Sequence, residues 1–144
     1  MKNDKIFRKI VQIVNNNNIK LNHKTPLILM GSCFSSEIGK RLGLSGFNTH
    51  QPFGTIFNPI TLGENLIRLY NKSFFYENDL TFNREVFYSW AHSGKSYSNK
   101  NSELLLKDIN NEIRKIHKSL INETVLILTF GTSIVYEHNN NIVG

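Results

Sequence analysis

The stretch from Pro26 to Leu42, PLILMGSCFSSEIGKRL, constrains this chain more than any other. An apolar run of strand length, Leu27-Ile28-Leu29-Met30, stops at Gly31, after which Phe34, Ile38 and Leu42 recur at every fourth residue. That change of period predicts a strand, a tight turn and a helix whose Phe34-Ile38-Leu42 stripe faces the core. Glycine lets the chain reverse closely, and the first amides of a helix have no partner inside it. Ser32 is therefore expected where a hydroxyl stands beside free amides and the positive end of a helix dipole, the geometry an acyl-transfer nucleophile needs. The same Gly-Ser pair is also ordinary turn chemistry, with the serine capping the helix.

The other elements are read against this one. Gly43, Ser45 and Gly46 stop the first helix, and Phe47 to His50 follow as a brief strand. Asn58-Pro59 is a helix start, since asparagine caps well and proline at the first helical position gives up an amide that had no partner; Leu62, Leu66, Leu69 and Tyr70 form its apolar face. Residues 74–97 are dense in aromatics without a sustained period and are read as a long folded loop with one or two short extended pieces. After Asn101-Ser102, the positions Leu105, Ile109, Ile113, Ile116 and Leu120 define the clearest helix, closed by Asn122-Glu123, with Lys107, Arg114, Lys115 and Lys118 on its solvated side. Val125-Leu126-Ile127-Leu128-Thr129 reads as a strand covered on both faces. Asn139 to Asn141 resemble a turn between Val135-Tyr136 and Ile142-Val143, and residues 1–14 supply a docking helix or arm before an asparagine loop.

This order predicts an α/β fold, a three-layer α/β/α arrangement with a mainly parallel sheet. Ligands of such sheets bind beyond the carboxyl ends of the strands, where Ser32, Gly54, Gly131 and Thr132 are all expected. At 144 residues the chain makes one domain or part of one, divided here into an arm over 1–24 and an α/β part over 25–144.

Lys and Arg outnumber Asp and Glu by 17 to 11, but the cations are scattered and form no nucleic-acid fingerprint. No apolar run approaches the ~20 residues of a membrane span, and the N-terminus lacks the pattern of a secretory signal, so the expectation is a cytoplasmic protein with neither nucleic-acid nor membrane partner. The single cysteine, Cys33, excludes an internal disulfide framework, and no Cys or His spacing suggests a metal; no cofactor is expected. A lone cysteine after an apolar strand is read as buried, against the alternative of a thiol nucleophile.

Gly31-Ser32-Cys33-Phe34-Ser35 resembles the signature of the GSCFA domain family, which ends in alanine where this chain has Ser35. Gln51-Pro52-Phe53-Gly54-Thr55-Ile56-Phe57-Asn58-Pro59 resembles that family's Asn-Pro-Phe-Gly-x-x-x-Asn-Pro block, and Thr129 to Tyr136 its later Leu-Gly-Thr-x-x-Val-Tyr block. The family in turn looks like a branch of the SGNH (GDSL-type) hydrolases, with a flavodoxin-like sheet. The resemblance implies an esterase or acyltransferase acting on a small-molecule or glycan acyl ester, with Ser32 as nucleophile and the amides of Ser32 and Gly54 as oxyanion donors. The competing reading is a non-catalytic binding or interaction domain that keeps this fold.

The departures from the pattern are specific. Where SGNH hydrolases place Gly-x-Asn-Asp this chain has Gly131-Thr132-Ser133-Ile134, leaving Thr132 or Ser133 as hydroxyl donors and Asn58 as a substitute amide whose better reading is the helix cap. None of the chain's histidines falls in an Asp-x-x-His spacing. His92, in the aromatic loop, is the best local candidate for a site histidine, with an ordinary loop residue as the alternative. By resemblance, family chains continue past the point corresponding to Gly144, so the expectation is an incomplete, N-terminal portion of a family domain.

Overall fold

The computed structural model describes residues 20–93, 97–120, 124–138 and 141–143. The arm expected over residues 1–14, the helix stop at Asn122-Glu123 and the tip of the Asn139 turn lie outside the described residues.

Strand β1 (Leu27–Gly31) is the centre of a parallel sheet of order β2-β1-β6, between β2 (Thr49–His50) and β6 (Val125–Thr129). Its register with β6 runs without a break from Leu27 opposite Val125 to Gly31 opposite Thr129. Every residue of β1 is buried, as a strand between two neighbours and two helical layers must be. Side chains alternate across it: Ile28 and Met30 enter one apolar cluster, while Leu27 and Leu29 are buried outside that cluster.

Helix α1 (Cys33–Leu44) packs against all three strands of the sheet. Helices α2 (Pro59–Tyr70) and α3 (Ser102–Leu120) pack on each other and contribute Leu62, Leu69, Leu105, Ile109, Ile113 and Ile116 to the cluster holding Ile28 and Met30. The α/β fold predicted from the order of elements is the observed one. The α2 start is as expected: Asn58 Oδ1 accepts the Thr61 amide at 2.9 Å, with Pro59 at the first position. Asn101 does the same for α3, accepting the Leu104 amide at 2.9 Å. No described helix is long and apolar enough to cross a membrane.

Two expectations about faces are corrected. The buried residues of α1 are Ser35 and Gly39, whereas Phe34 is 62 % exposed and Ile38 and Leu42 are half-buried. Ser35, Gly39 and Gly43 lie four apart and form a small-residue stripe, and a Cβ on Gly39 would stand 2.5 Å from Gln51 Nε2. Close approach on that stripe turns the apolar one aside. Strand β6 is half-buried throughout rather than covered on both faces, because in the order β2-β1-β6 it is an edge.

The aromatic stretch contains more order than its period suggests. A short 3₁₀ turn (Glu77–Asp79) leads into β3 (Thr81–Asn83), β4 (Val86–Tyr88) and β5 (Ser98–Asn99), an antiparallel sheet of order β3-β4-β5. Strands β7 (Tyr136–His138) and β8 (Asn141–Val143) form the expected hairpin.

Gly31 and Gly63 make opposite predictions. Gly31 has φ of +127°, and a Cβ there would lie 1.9 Å from the Thr129 carbonyl oxygen, so Gly31→Ala is expected to destabilise by about 3 kcal/mol or more. Gly63, inside α2, has nothing within 4 Å of its Cβ position, and Gly63→Ala is expected to stabilise by about 0.5–1 kcal/mol. Urea unfolding of the two variants checks both signs, and equal stabilities would contradict the packing described.

Candidate active site

Ser32 is the N-cap residue of α1, with extended backbone (φ −65°, ψ 173°), at the carboxyl end of β1. Its side chain makes no cap hydrogen bond, which removes the reading of this serine as a helix cap. The hydroxyl instead lies 3.0 Å from Thr129 Oγ1. The Ser32 amide donates to the same residue twice, to the Thr129 carbonyl at 3.1 Å and to Oγ1 at 3.0 Å. Ser32 is only 8 % exposed. Thr129 was not singled out by the sequence; the signal that could have found it is its place as the last residue of an apolar strand paired to the strand that precedes Ser32.

The loop after β2 closes the same edge. Ile56 donates its amide to the Gly31 carbonyl at 2.7 Å, Thr55 bridges to Gly31 in parallel fashion, and Ser36 Oγ meets Thr55 Oγ1 at 3.2 Å. The amides of Gly131 and Thr132 both donate to the Phe57 carbonyl at 3.0 Å. The three stretches predicted to converge at the carboxyl ends of the strands are therefore tied together by backbone hydrogen bonds.

Gly54 sits in this loop with φ of +72°, and a Cβ there would stand 2.0 Å from the Ser93 carbonyl oxygen. Phe53 before it is also left-handed, with φ of 67°, an uncommon conformation for a bulky residue. The turn is held from the α3 side. Tyr97 donates its hydroxyl to the Glu112 carboxylate at 3.1 and 3.2 Å, and the backbone of Phe53 and Gly54 acts on the Tyr97 phenol, that of Phe53 also on Glu112. Burial and the adjacent Glu112 push the Tyr97 phenol up; burial raises the Glu112 carboxyl against the pull of Tyr97 and the Phe53 amide. Neither residue stood out in the sequence, because their contact depends on α3 crossing behind the loop.

The structure does not join His92 to Ser32. The imidazole is enclosed by Phe53, Phe75 and Tyr97, with ring centroids 4.7, 4.9 and 4.7 Å away, and both ring nitrogens are buried without a hydrogen-bond partner among the described residues. Burial, with a smaller contribution from the Arg68 guanidinium, lowers its pKa to about 3. Asn58 is engaged at both ends of its amide, as the α2 cap and by donating to the Val143 carbonyl at 3.1 Å. Thr132 Oγ1 accepts the Ile134 amide at 3.0 Å, and Ser133 is exposed. Cys33 is exposed, not buried as expected, because the first helical position faces away from the sheet that Ser35 and Gly39 cover. Among the described residues no group of His, Cys, Asp and Glu side chains is arranged to hold a metal ion.

His92 gives a pH prediction. An unfolded chain protonates it near 6.5 and the folded chain only near 3, so the unfolded state binds the proton first; stability is complete above pH 6.5 and drains as pH falls toward 3. Between pH 7 and pH 5 this amounts to about 2 kcal/mol. Glu112, shifted the other way, loses stability as pH rises, so the comparison is made against His92→Phe. Chemical denaturation is expected to show a shallower pH dependence in that variant, and an unchanged one would show that the imidazole is not the titrating group.

Residues 26–143 match the model of the GSCFA family. No curated protein matches the chain, and no solved structure does.

Proposed function

The chain belongs to the GSCFA family, and from that premise we propose that it carries SGNH-like serine hydrolase chemistry, as an esterase or acyltransferase on an acyl ester, with Ser32 as nucleophile. The observation that carries this reading is the diversion of Ser32: a serine at a strand-to-helix junction whose hydroxyl leaves the helix cap open and meets Thr129 Oγ1 at 3.0 Å instead. The uncapped end of α1 favours negative charge beside that hydroxyl, where an acyl-transfer step develops an oxyanion. Exposed Phe34, Phe57 and Phe130, which lie on the three stretches that meet at this edge, suit the apolar part of an acyl group.

In the resemblance, the amides of Ser32 and Gly54 serve as oxyanion donors. Here the first is given to Thr129, so a substrate oxygen has to displace that contact. Among the described residues, Ser32 Oγ has a hydroxyl and no imidazole or carboxylate for its partner. A hydroxyl does not activate serine as a base, and turnover that relies on this pair alone is expected to be weak. These same features support the second reading, a binding domain that keeps the fold without the chemistry.

A fluorophosphonate probe separates the two. Labelling of the chain at Ser32, lost in Ser32→Ala and kept in Cys33→Ala, is the expected result. Labelling that survives Ser32→Ala overturns the nucleophile assignment, and a chain that takes no label even with imidazole supplied as an external base selects the binding domain.

A further inference from the structure

A cavity of about 440 Å³ lies away from Ser32, between α2, the 3₁₀ turn with β3, the end of β4 and the β7-β8 hairpin. Thr61, Glu64 and Arg68 reach it from one face of α2, at the i, i+3, i+7 spacing that aligns helical side chains. Asp79 and Trp90 line it from the other side. Thr61 is 3 % exposed, and neither its hydroxyl nor the Trp90 indole N–H has a hydrogen-bond partner among the described residues. Buried polar groups in folded proteins ordinarily have partners, so two orphans in one cavity wall are an unusual pairing.

The wall is held firmly. Arg68 Nη1 donates to the Phe74 carbonyl at 3.0 Å, Nη2 lies 3.5 Å from Asp79 Oδ1, and the guanidinium sits 4.0 Å over the Phe75 ring. Asp79 Oδ2 accepts the Tyr76 amide at 2.8 Å. The indole of Trp90 is set edge-on to Tyr88, with centroids 5.1 Å apart, and against His138 at 5.1 Å.

The chemistry of this lining selects a ligand class. Its two carboxylates, Glu64 and Asp79, outnumber its one guanidinium, which disfavours a phosphate or carboxylate ligand. A plain hydrocarbon would strip water from charged groups without replacing their hydrogen bonds. A ring carrying several hydroxyls can donate to the carboxylates, accept from the arginine and the indole, and lay an apolar face on an aromatic plane. The volume falls within the ~300–1,000 Å³ of small-molecule sites. We propose that this cavity, formed by the polar face of α2 and the Trp90 wall, is a binding site for a neutral polyhydroxylated ligand, a pyranose unit.

The proposal does not depend on Ser32, which is no part of the cavity wall. Trp90 is the only tryptophan in the chain, so its intrinsic fluorescence reports this cavity alone. The chain is titrated with the methyl glycosides of glucose, galactose and mannose, and with potassium phosphate for comparison. At least one glycoside is expected to give a saturable change with half-saturation between ~0.1 and ~10 mM, weakened about tenfold in Glu64→Gln and in Thr61→Val. Glu64 is exposed and Thr61→Val is nearly isosteric, so far-ultraviolet circular dichroism identical to that of the parent establishes that both variants fold. No saturable change with any glycoside, a change indifferent to both substitutions, or a stronger response to phosphate overturns the proposal. None of these outcomes bears on the fluorophosphonate result, so the two readings fail separately.

Discussion

The candidate site depends on how closely the ends of β1 and β6 approach. Where a side chain on Gly31 would stand, the Thr129 carbonyl passes, and only a residue without a Cβ admits it. That contact lets the Ser32 amide reach both oxygens of Thr129 and turns the Ser32 hydroxyl toward the neighbouring strand rather than into α1. The parallel ladder thus runs one residue past its last strand pair, and that residue is the serine. A wider separation would return Ser32 to the capping role common at such junctions and leave the site without its central hydroxyl.

The same economy of side-chain volume recurs in the layer above. Ser35, Gly39 and Gly43 bring α1 close to Gln51 and Thr49, so the helix meets the sheet through backbone and small groups. Its first turn is thereby fixed over the strand ends, where its dipole acts on Ser32. The opposite layer is built in the ordinary way, from Ile109, Ile113 and Ile116 of α3 with Leu62 and Leu69 of α2 against Ile28 and Met30. One face of the sheet therefore supplies hydrophobic stability and the other supplies position.

This division explains what the sequence made legible. Strong periodicity in α3, the Asn58-Pro59 start of α2 and the apolar runs of β1 and β6 are local signals, and the structure has each of them. An apolar count misplaces the face of α1 because it ignores the advantage of small residues at a close contact. The β3-β4 hairpin was hidden for a different reason: its turn residues, Arg84 and Glu85, are left-handed at φ of 48° and 67°, where Asn-Gly or Asp-Gly would have announced the turn. At the site, Ser32 and the converging blocks could be read in order along the chain. Thr129, Tyr97 and Glu112 could not, because each acquires its role from a residue distant in sequence.

The Phe53-Gly54 turn shows how such distant contacts act together. Two successive left-handed residues, the first a buried phenylalanine, are not a conformation the chain takes unaided. Ser93 donates its amide to the Phe53 carbonyl at 2.9 Å, the bonded pair of Tyr97 and Glu112 stands on the α3 side, and the Phe53 ring packs against His92 and Phe75. The Phe53 carbonyl is thus matched from another element, and a neutral His92 completes the apolar side of the turn. Protonating that imidazole would place a charge between three rings with no acceptor among the described residues, so acid loosens the turn through the aromatic cluster beneath it, while Glu112 acts on the same turn in the opposite direction as pH rises.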